Sequence, residues 1–168
     1  VTGGSTLDFL QNNVLDPLGI NVNEETIWAV DSMGVNSGAF GLELTVREMA
    51  KLGFLYLNDG AWEHRQIVSK EWVKQATSPI FENSFGSAYG YQWWVNPNTG
   101  AYWGSGLGGQ YLIVKPDADL IIAFTTQPLV PDVFDPEQTI STENAGKIIS
   151  MVVGAIIPEE EDEGEAEE

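Results

Sequence analysis

The chain has 168 residues, 43% of them hydrophobic and 19% charged. That length suggests one domain, and that balance belongs to a globular chain able to bury a core, which excludes wholesale disorder. Lys and Arg number 7 against 25 Asp and Glu, for a net charge of -18, and eight of the acids fall in residues 159–168. Such acidity repels a phosphate backbone and an anionic membrane surface, so neither nucleic acid nor anionic lipid is an expected partner. The absence of Cys excludes disulfides, thiol catalysis and Cys-ligated zinc. No apolar run reaches the ~18 residues of a membrane span. The chain opens with Val1-Thr2-Gly3-Gly4-Ser5, with no Met and no signal-peptide pattern, and is expected to be truncated or processed.

A helix is expected over residues 5–15, capped by Ser5, with Asp8 at its third position and Leu7, Leu10 and Val14 on one face. Asp16-Pro17 stops it, because the proline ring disfavours a helical Asp16. Residues 19–44, rich in Gly, Asn and Asp, read as irregular loop with a short strand at 27–30. Thr45-Val46-Arg47-Glu48 is a capping box. It opens a helix striped by Met49, Leu52 and Tyr56, with Ala50, Phe54 and Leu57 beside them, and Asn58-Asp59-Gly60 ends it. Ser69 caps a shorter helix over 70–77, stopped by Pro79, with Trp72, Val73 and Ala76 expected to be buried.

From Tyr89 the period becomes two, and a strand is expected through Trp94. Asn96-Pro97-Asn98-Thr99-Gly100 is a turn before a second strand that begins at 101–104. A third strand covers 110–114, a turn 115–119 and a fourth strand 120–126, whose apolar run at 120–124 predicts burial on both faces. Pro128, Pro131 and Pro136 mark a linker. A closing helix over 142–156 is expected to bury Ile148, Ile149, Val152 and Ile156, and the acidic tail is expected to be solvated. Helices, then an antiparallel meander, then a covering helix make an α+β arrangement.

Few residues offer chemistry. His64 is the sole histidine, so a multi-His metal site is excluded, and it reads as a turn residue. No Gly-x-Ser-x-Gly elbow accompanies it, and no pair of carboxylates stands out by spacing. The acidic tail lacks the pattern of a calcium loop. No metal and no cofactor are expected. The run Gly104-Ser105-Gly106-Leu107-Gly108-Gly109 is more informative. It fails as a phosphate loop, since no Lys-Ser/Thr pair follows. It reads either as a bent strand that another backbone approaches closely, or as the same geometry with a substrate as the visitor. Residues 89–111 hold four of the five Tyr and three of the six Trp, a pattern that fits core packing or a sugar-binding face.

Residues 1–127 resemble the C-terminal portion of the class C β-lactamase-related serine hydrolases, which include penicillin-binding proteins, family VIII esterases and 6-aminohexanoate-dimer hydrolases. The resemblance rests on Val1-Thr2-Gly3, Pro17-Leu18-Gly19, Gly38-Ala39-Phe40-Gly41-Leu42 with the helix from Thr45, Leu57-Asn58-Asp59-Gly60, Ile67-Val68-Ser69, Trp72-Val73 and Tyr89-Gly90-Tyr91-Gln92-Trp93-Trp94. Phe40 and Glu48 depart from the family's usual Gly and Asp.

The resemblance implies the C-terminal part of a β-lactamase/transpeptidase-like fold, incomplete as it stands. Residues 1–80 would form a helical and loop segment, 81–158 the antiparallel strands and closing helix of the same catalytic domain, and 159–168 a disordered tail. The family's Lys/His-Thr/Ser-Gly motif falls on Gly104-Ser105-Gly106, with Leu107 the backbone donor to an oxyanion hole. Gly104 stands where β-lactamases and DD-peptidases carry a cation, which weakens the expectation of β-lactamase or carboxypeptidase activity, and Gly106-Leu107-Gly108-Gly109-Gln110 resembles the amide- and ester-hydrolysing branch that holds the nylon-oligomer hydrolases. Trp103, Tyr111, Trp93 and Trp94 would wall the cleft, with Asn36 a further cleft residue.

No serine here is followed three residues later by Lys, and Tyr56-Leu57-Asn58 matches the family's Tyr motif only by letter. The nucleophile, its lysine and the tyrosine are therefore expected upstream, and the chain alone is expected to be inactive. Its partners would be a small amide, ester or peptide substrate in the full protein and either a second copy or the missing N-terminal segment. Export to the periplasm is a family trait on which these residues are silent. Two other readings stand beside this one: a non-catalytic module that binds ligand on its aromatic strands, and a catalytically dead homologue.

Overall fold

The structure is a computed structural model and describes residues 3–21, 28–82, 86–125 and 142–156. Ser5 accepts from the Asp8 N–H at 3.0 Å and Asp8 accepts from the Ser5 N–H at 3.2 Å, so a capping box opens α1, Thr6–Leu10. Hydrogen bonds to the carboxylate from the Ser5 side chain and then from its backbone N–H hold the Asp8 pKa below its usual value. The coil then widens into a π-helical turn, Gln11–Leu15, closed by the Asp16 N–H on the Gln11 carbonyl at 2.9 Å. The wider turn carries Leu15 into the core beside Leu18 and Ile20, while Leu7, Leu10 and Val14 are only half-buried. The short strand expected at 27–30 reduces to two single-residue bridges, Trp28 with Leu42 and Val30 with Asn36, and Ile27 lies outside the described residues.

The second capping box forms as expected, with Glu48 accepting from the Thr45 N–H at 2.8 Å at the head of α2, Val46–Leu57. The Lys51 ammonium donates to the Leu18 and Gly19 carbonyls at 2.8 and 2.7 Å and ties the end of the first segment to this helix. After α2 comes a hairpin the sequence did not announce: β1, Ala61–Trp62, pairs with β2, Arg65–Gln66. Its two turn residues, Glu63 and His64, both have positive φ, 43° and 68°, as a twist-matched two-residue turn requires. Ser69 caps α3, Lys70–Ala76, which buries Val73 and Ala76. Trp72, expected inside, is instead 42% exposed and leans on Tyr91 with ring centres 5.3 Å apart.

Six antiparallel strands follow in chain order: β3 Phe81–Glu82, β4 Ala88–Tyr89, β5 Trp94–Val95, β6 Tyr102–Gly106, β7 Gln110–Lys115 and β8 Leu120–Phe124. The single strand expected from Tyr89 to Trp94 is corrected to a hairpin of β4 with β5, turned at Gly90–Trp93 with Gln92 at φ 66°. Gly90 is required at that turn because any Cβ would run into the Ala76 carbonyl, which accepts from the Tyr91 N–H at 2.9 Å. The turn at Asn96 forms as expected, its side-chain oxygen accepting from the Asn98 N–H at 2.9 Å. β8 is covered on both faces as expected: Ile121 and Ala123 pack on the side of α2 and Ile122 is buried on the other, although Ile122 alone is fully buried along it.

Register assigns the two faces of the sheet. Tyr102, Gly104 and Gly106 stand opposite Val114, Leu112 and Gln110 on one face, and Trp103 and Ser105 stand opposite Ile113 and Tyr111 on the other. The first face meets α2 in a core of Val95, Tyr102, Leu112 and Val114 against Met49, Leu52 and Tyr56. The second faces α4, Thr142–Ile156, which buries Ala145 and partly buries Ile149, Val152 and Val153. Ile148 and Ile156, both expected inside, are exposed, because the helix presents its Ala145–Ile149 side to the strands. The fold is α+β, helices on an antiparallel sheet. The proline linker and the acidic tail lie outside the described residues.

Candidate active site

The glycine-rich run forms the end of β6 and the turn into β7. A Cβ added to Gly104 would meet no atom within 4 Å, although Gly104 lies on the face that α2 covers. The reason is where α2 sits. Its Gly53 comes down on β7 and β8, where an added Cβ would lie 2.9 Å from both Leu112 Cδ1 and Ile121 Cγ2. The helix thus roofs the β7–β8 half of the face and stops short of the end of β6, leaving that stretch of glycine backbone open among the described residues.

Leu107 follows at the start of the turn, 66% exposed, and its N–H has no acceptor among the described residues. The Gly109 N–H donates to the Gly106 carbonyl at 3.2 Å and closes the turn, with Gly108 and Gly109 at φ 87° and 100°. Those angles are open to glycine and strained for other residues, so the turn chemistry itself selects Gly-Gly. A free backbone N–H at the lip of an open glycine strand is a geometry that can donate to a developing negative charge on oxygen.

The remaining expected residues do not all gather here. Ser105 is exposed on the opposite face, across from Tyr111. Trp103 and Tyr111 share that face and line a cleft of about 420 Å³ against α4, together with Ile113, Lys115, Ala145 and Ile149. Trp94 shares it too and packs edge-on to Tyr89. Trp93 is core, its ring 4.8 Å from that of Tyr56 and 5.1 Å from that of Tyr102. The aromatic wall expected from the sequence is therefore split by the sheet, since alternate residues of one strand point to opposite faces. Tyr56 is a packing residue in this arrangement. Asn36 lines a separate hollow of about 280 Å³ with Asp31, Ser37 and Phe40.

Burial raises the Tyr102 phenol pKa above its ordinary value, with Tyr56 and Asp59 adding to the shift, so this core hydroxyl stays neutral. Among the described residues no His, Asp or Glu group is arranged to hold a metal, and no helix is long and apolar enough to cross a membrane.

One residue that the sequence reading placed in the glycine run without giving it a role belongs to the open strip. Gln110 stands opposite Gly106, and its Oε1 lies 2.8 Å from where a Gly106 Cβ would be. The signal was the turn length: three residues between Gly106 and Gln110 place both on one face.

Comparison with known proteins speaks to the family and the fold. A family model described as Beta-lactamase matches residues 1–147. A 6-aminohexanoate-dimer hydrolase of Paenarthrobacter ureafaciens is 27% identical over 114 residues, covering 61% of this chain and 29% of that protein. A solved structure named "Putative 6-aminohexanoate-dimer hydrolase from Bacillus anthracis" matches with a TM-score of 0.62 at 22% identity, covering 93% of this chain and 40% of that one. That likeness is one of fold. The chain spans less than half the length of either relative.

Proposed function

The chain belongs to the beta-lactamase family, and on that premise we propose that it is the C-terminal part of a serine hydrolase that cleaves amide or ester bonds through an acyl-enzyme. The serine, its lysine and the tyrosine of the longer protein lie outside these 168 residues in this reading. The serine attacks the carbonyl with the lysine as proton acceptor, an acyl-enzyme forms as the amine or alcohol leaves, and water releases the acid. This chain supplies one wall of the pocket. Gly104 and Gly106 let the acyl group lie against bare backbone, and the Leu107 N–H donates to the oxyanion as the tetrahedral carbon forms.

The observation that carries the reading is the empty space over Gly104 on a face that α2 otherwise roofs. It leaves room for a nucleophile-bearing element beside β6. Gly104 also puts no cation at the position where a substrate carboxylate would be held, which favours an uncharged acyl group. The dimer hydrolase among the relatives supports amides as one substrate class. The apolar edge strand β8 is the place for a strand of the upstream segment to pair.

The test is an assay of the full-length polypeptide and of this chain alone with p-nitrophenyl esters and linear amides, with the acyl-enzyme read by intact mass. The full-length protein is expected to turn over and the chain alone to be inert. Gly104→Val in the full-length protein fills the empty space over β6 and displaces the acyl group, and is expected to cut kcat/KM by roughly a hundredfold, the scale of a misplaced reacting group. An inert full-length protein, or full activity with Val at position 104, sinks the proposal.

A further inference from the structure

We propose that Gln110 is a substrate-binding residue, and that it selects acyl groups carrying a neutral hydrogen-bonding function, such as a second amide, over purely aliphatic ones. This inference rests on the serine-hydrolase reading above and names the substrate class of the same site.

Gln110 begins β7 and pairs with Gly106 at the last register position of the β6–β7 ladder. Its side chain lies on the face of Gly104 and Gly106, filling the space that Gly106 leaves: Oε1, Cβ and Cδ lie 2.8, 3.3 and 3.6 Å from the position of a Gly106 Cβ. Immediately beyond, over Gly104, there is no atom within 4 Å. The carboxamide thus borders a stretch of this sheet face that α2 leaves unroofed.

It is also uncommitted. The residue is half-buried, and its side-chain amide makes no hydrogen bond among the described residues. Some carboxamides in the chain are spent on the fold, as when Gln66 donates to the Asp59 and Val68 carbonyls at 2.7 and 2.6 Å, or Asn58 to the Phe54 carbonyl at 2.9 Å. The amide atoms of Gln110 stay open to solvent, since the one buried unpaired side-chain atom among the described residues is Gln11 Oε1, and a ligand amide can take the place of that water. A carboxamide both donates and accepts, so its natural complement is another amide, to which it is held by two hydrogen bonds. It carries no charge and offers nothing special to a carboxylate, in agreement with the missing cation at position 104. A polar group left unpaired by an aliphatic acyl chain penalises that substrate, and this is how a hydrogen-bonding site discriminates more sharply than an apolar one.

The experiment compares p-nitrophenyl N-acetylglycinate with p-nitrophenyl isocaproate, two esters of matched size that differ by an amide in the acyl chain. Both are assayed on the full-length protein as wild type, Gln110→Leu and Gly106→Ala. The wild type is expected to favour the amide-bearing ester, and Gln110→Leu to shrink that preference about tenfold, the scale of one buried hydrogen bond. The loss is expected to fall mainly in KM. Gly106→Ala keeps the glutamine but drives a methyl into its flexible end, and is expected to shrink the preference as well, with little change in melting temperature. An unchanged ratio of kcat/KM values in both variants overturns the role of Gln110 while leaving the hydrolase reading intact. A wild-type protein that hydrolyses neither ester overturns both.

Discussion

Gly53 of α2 lies against Leu112 of β7 so closely that an added Cβ would sit 2.9 Å from the leucine Cδ1, and Leu112 is the residue paired across the sheet with Gly104. One step along the same face, the space over Gly104 is empty. Two glycines thus mark where the roof over the sheet begins and where it ends, and they answer differently to substitution. In this chain Gly53→Val is expected to cost about 1–3 kcal/mol through overpacking, whereas Gly104→Val is expected to stay within about 0.5 kcal/mol of wild type. Urea unfolding of the two variants checks this, and equal losses would show that the strip over β6 is not open.

The Thr45 capping box starts the helix that carries Gly53. Thr45→Ala removes the acceptor for the Glu48 N–H and half of the reciprocal pair. The expected loss is about 1 kcal/mol, mostly restored by Ser at the same position, measured as the midpoint of chemical denaturation.

Burial separates two large apolar residues that sequence alone treats alike. Leu55 is 1% exposed in the core with Leu15, Leu18 and Ile20. Leu55→Ala is expected to cost about 2–5 kcal/mol. Trp72, exposed on α3, has its stacking on Tyr91 to lose, and Trp72→Ala is expected to cost about 1 kcal/mol. A Trp72 loss as large as that of Leu55 would mean the tryptophan is covered in solution.

The Tyr102 phenol has a raised pKa in the fold, first by burial and then by its neighbours Tyr56 and Asp59. The unfolded phenol ionises near pH 10 while the folded one holds its proton, so the unfolded state binds fewer protons above that pH and stability falls as pH rises. The contribution is fully present below the unfolded pKa. Melting temperatures from pH 8 upward are expected to decline beyond about pH 10, with a shallower decline in Tyr102→Phe. Ultraviolet titration should show one tyrosine that ionises only on unfolding. Identical alkaline profiles for the two proteins would rule out this residue as the cause.

Both capping boxes, the turn at Asn96, the strands on either side of the glycine run and the closing helix were legible because each is written in local chemistry: a cap side chain, a proline, a period of two. The β1–β2 hairpin was not, since strands of two residues carry no period and Glu63-His64 lacks the usual Asn-Gly signature. The hairpin at Gly90–Trp93 was hidden by alternation that runs straight through a turn, and only the Ala76 carbonyl against Gly90 explains the bend. Trp72, Ile148 and Ile156 were misassigned because periodicity identifies an apolar face without saying how far the neighbouring layer extends.

By itself the sequence determined the α+β order of elements, the family likeness and the glycine strip with Leu107 at its end, because each of these is a matter of residue type and spacing along the chain. Only the tertiary structure decided that Trp103 and Tyr111 turn away from Gly104, that α2 stops short of the end of β6, and that Gln110 comes to rest beside the gap. Those outcomes depend on strand register and on where a helix lands across a sheet, and both are set by packing between residues far apart in sequence.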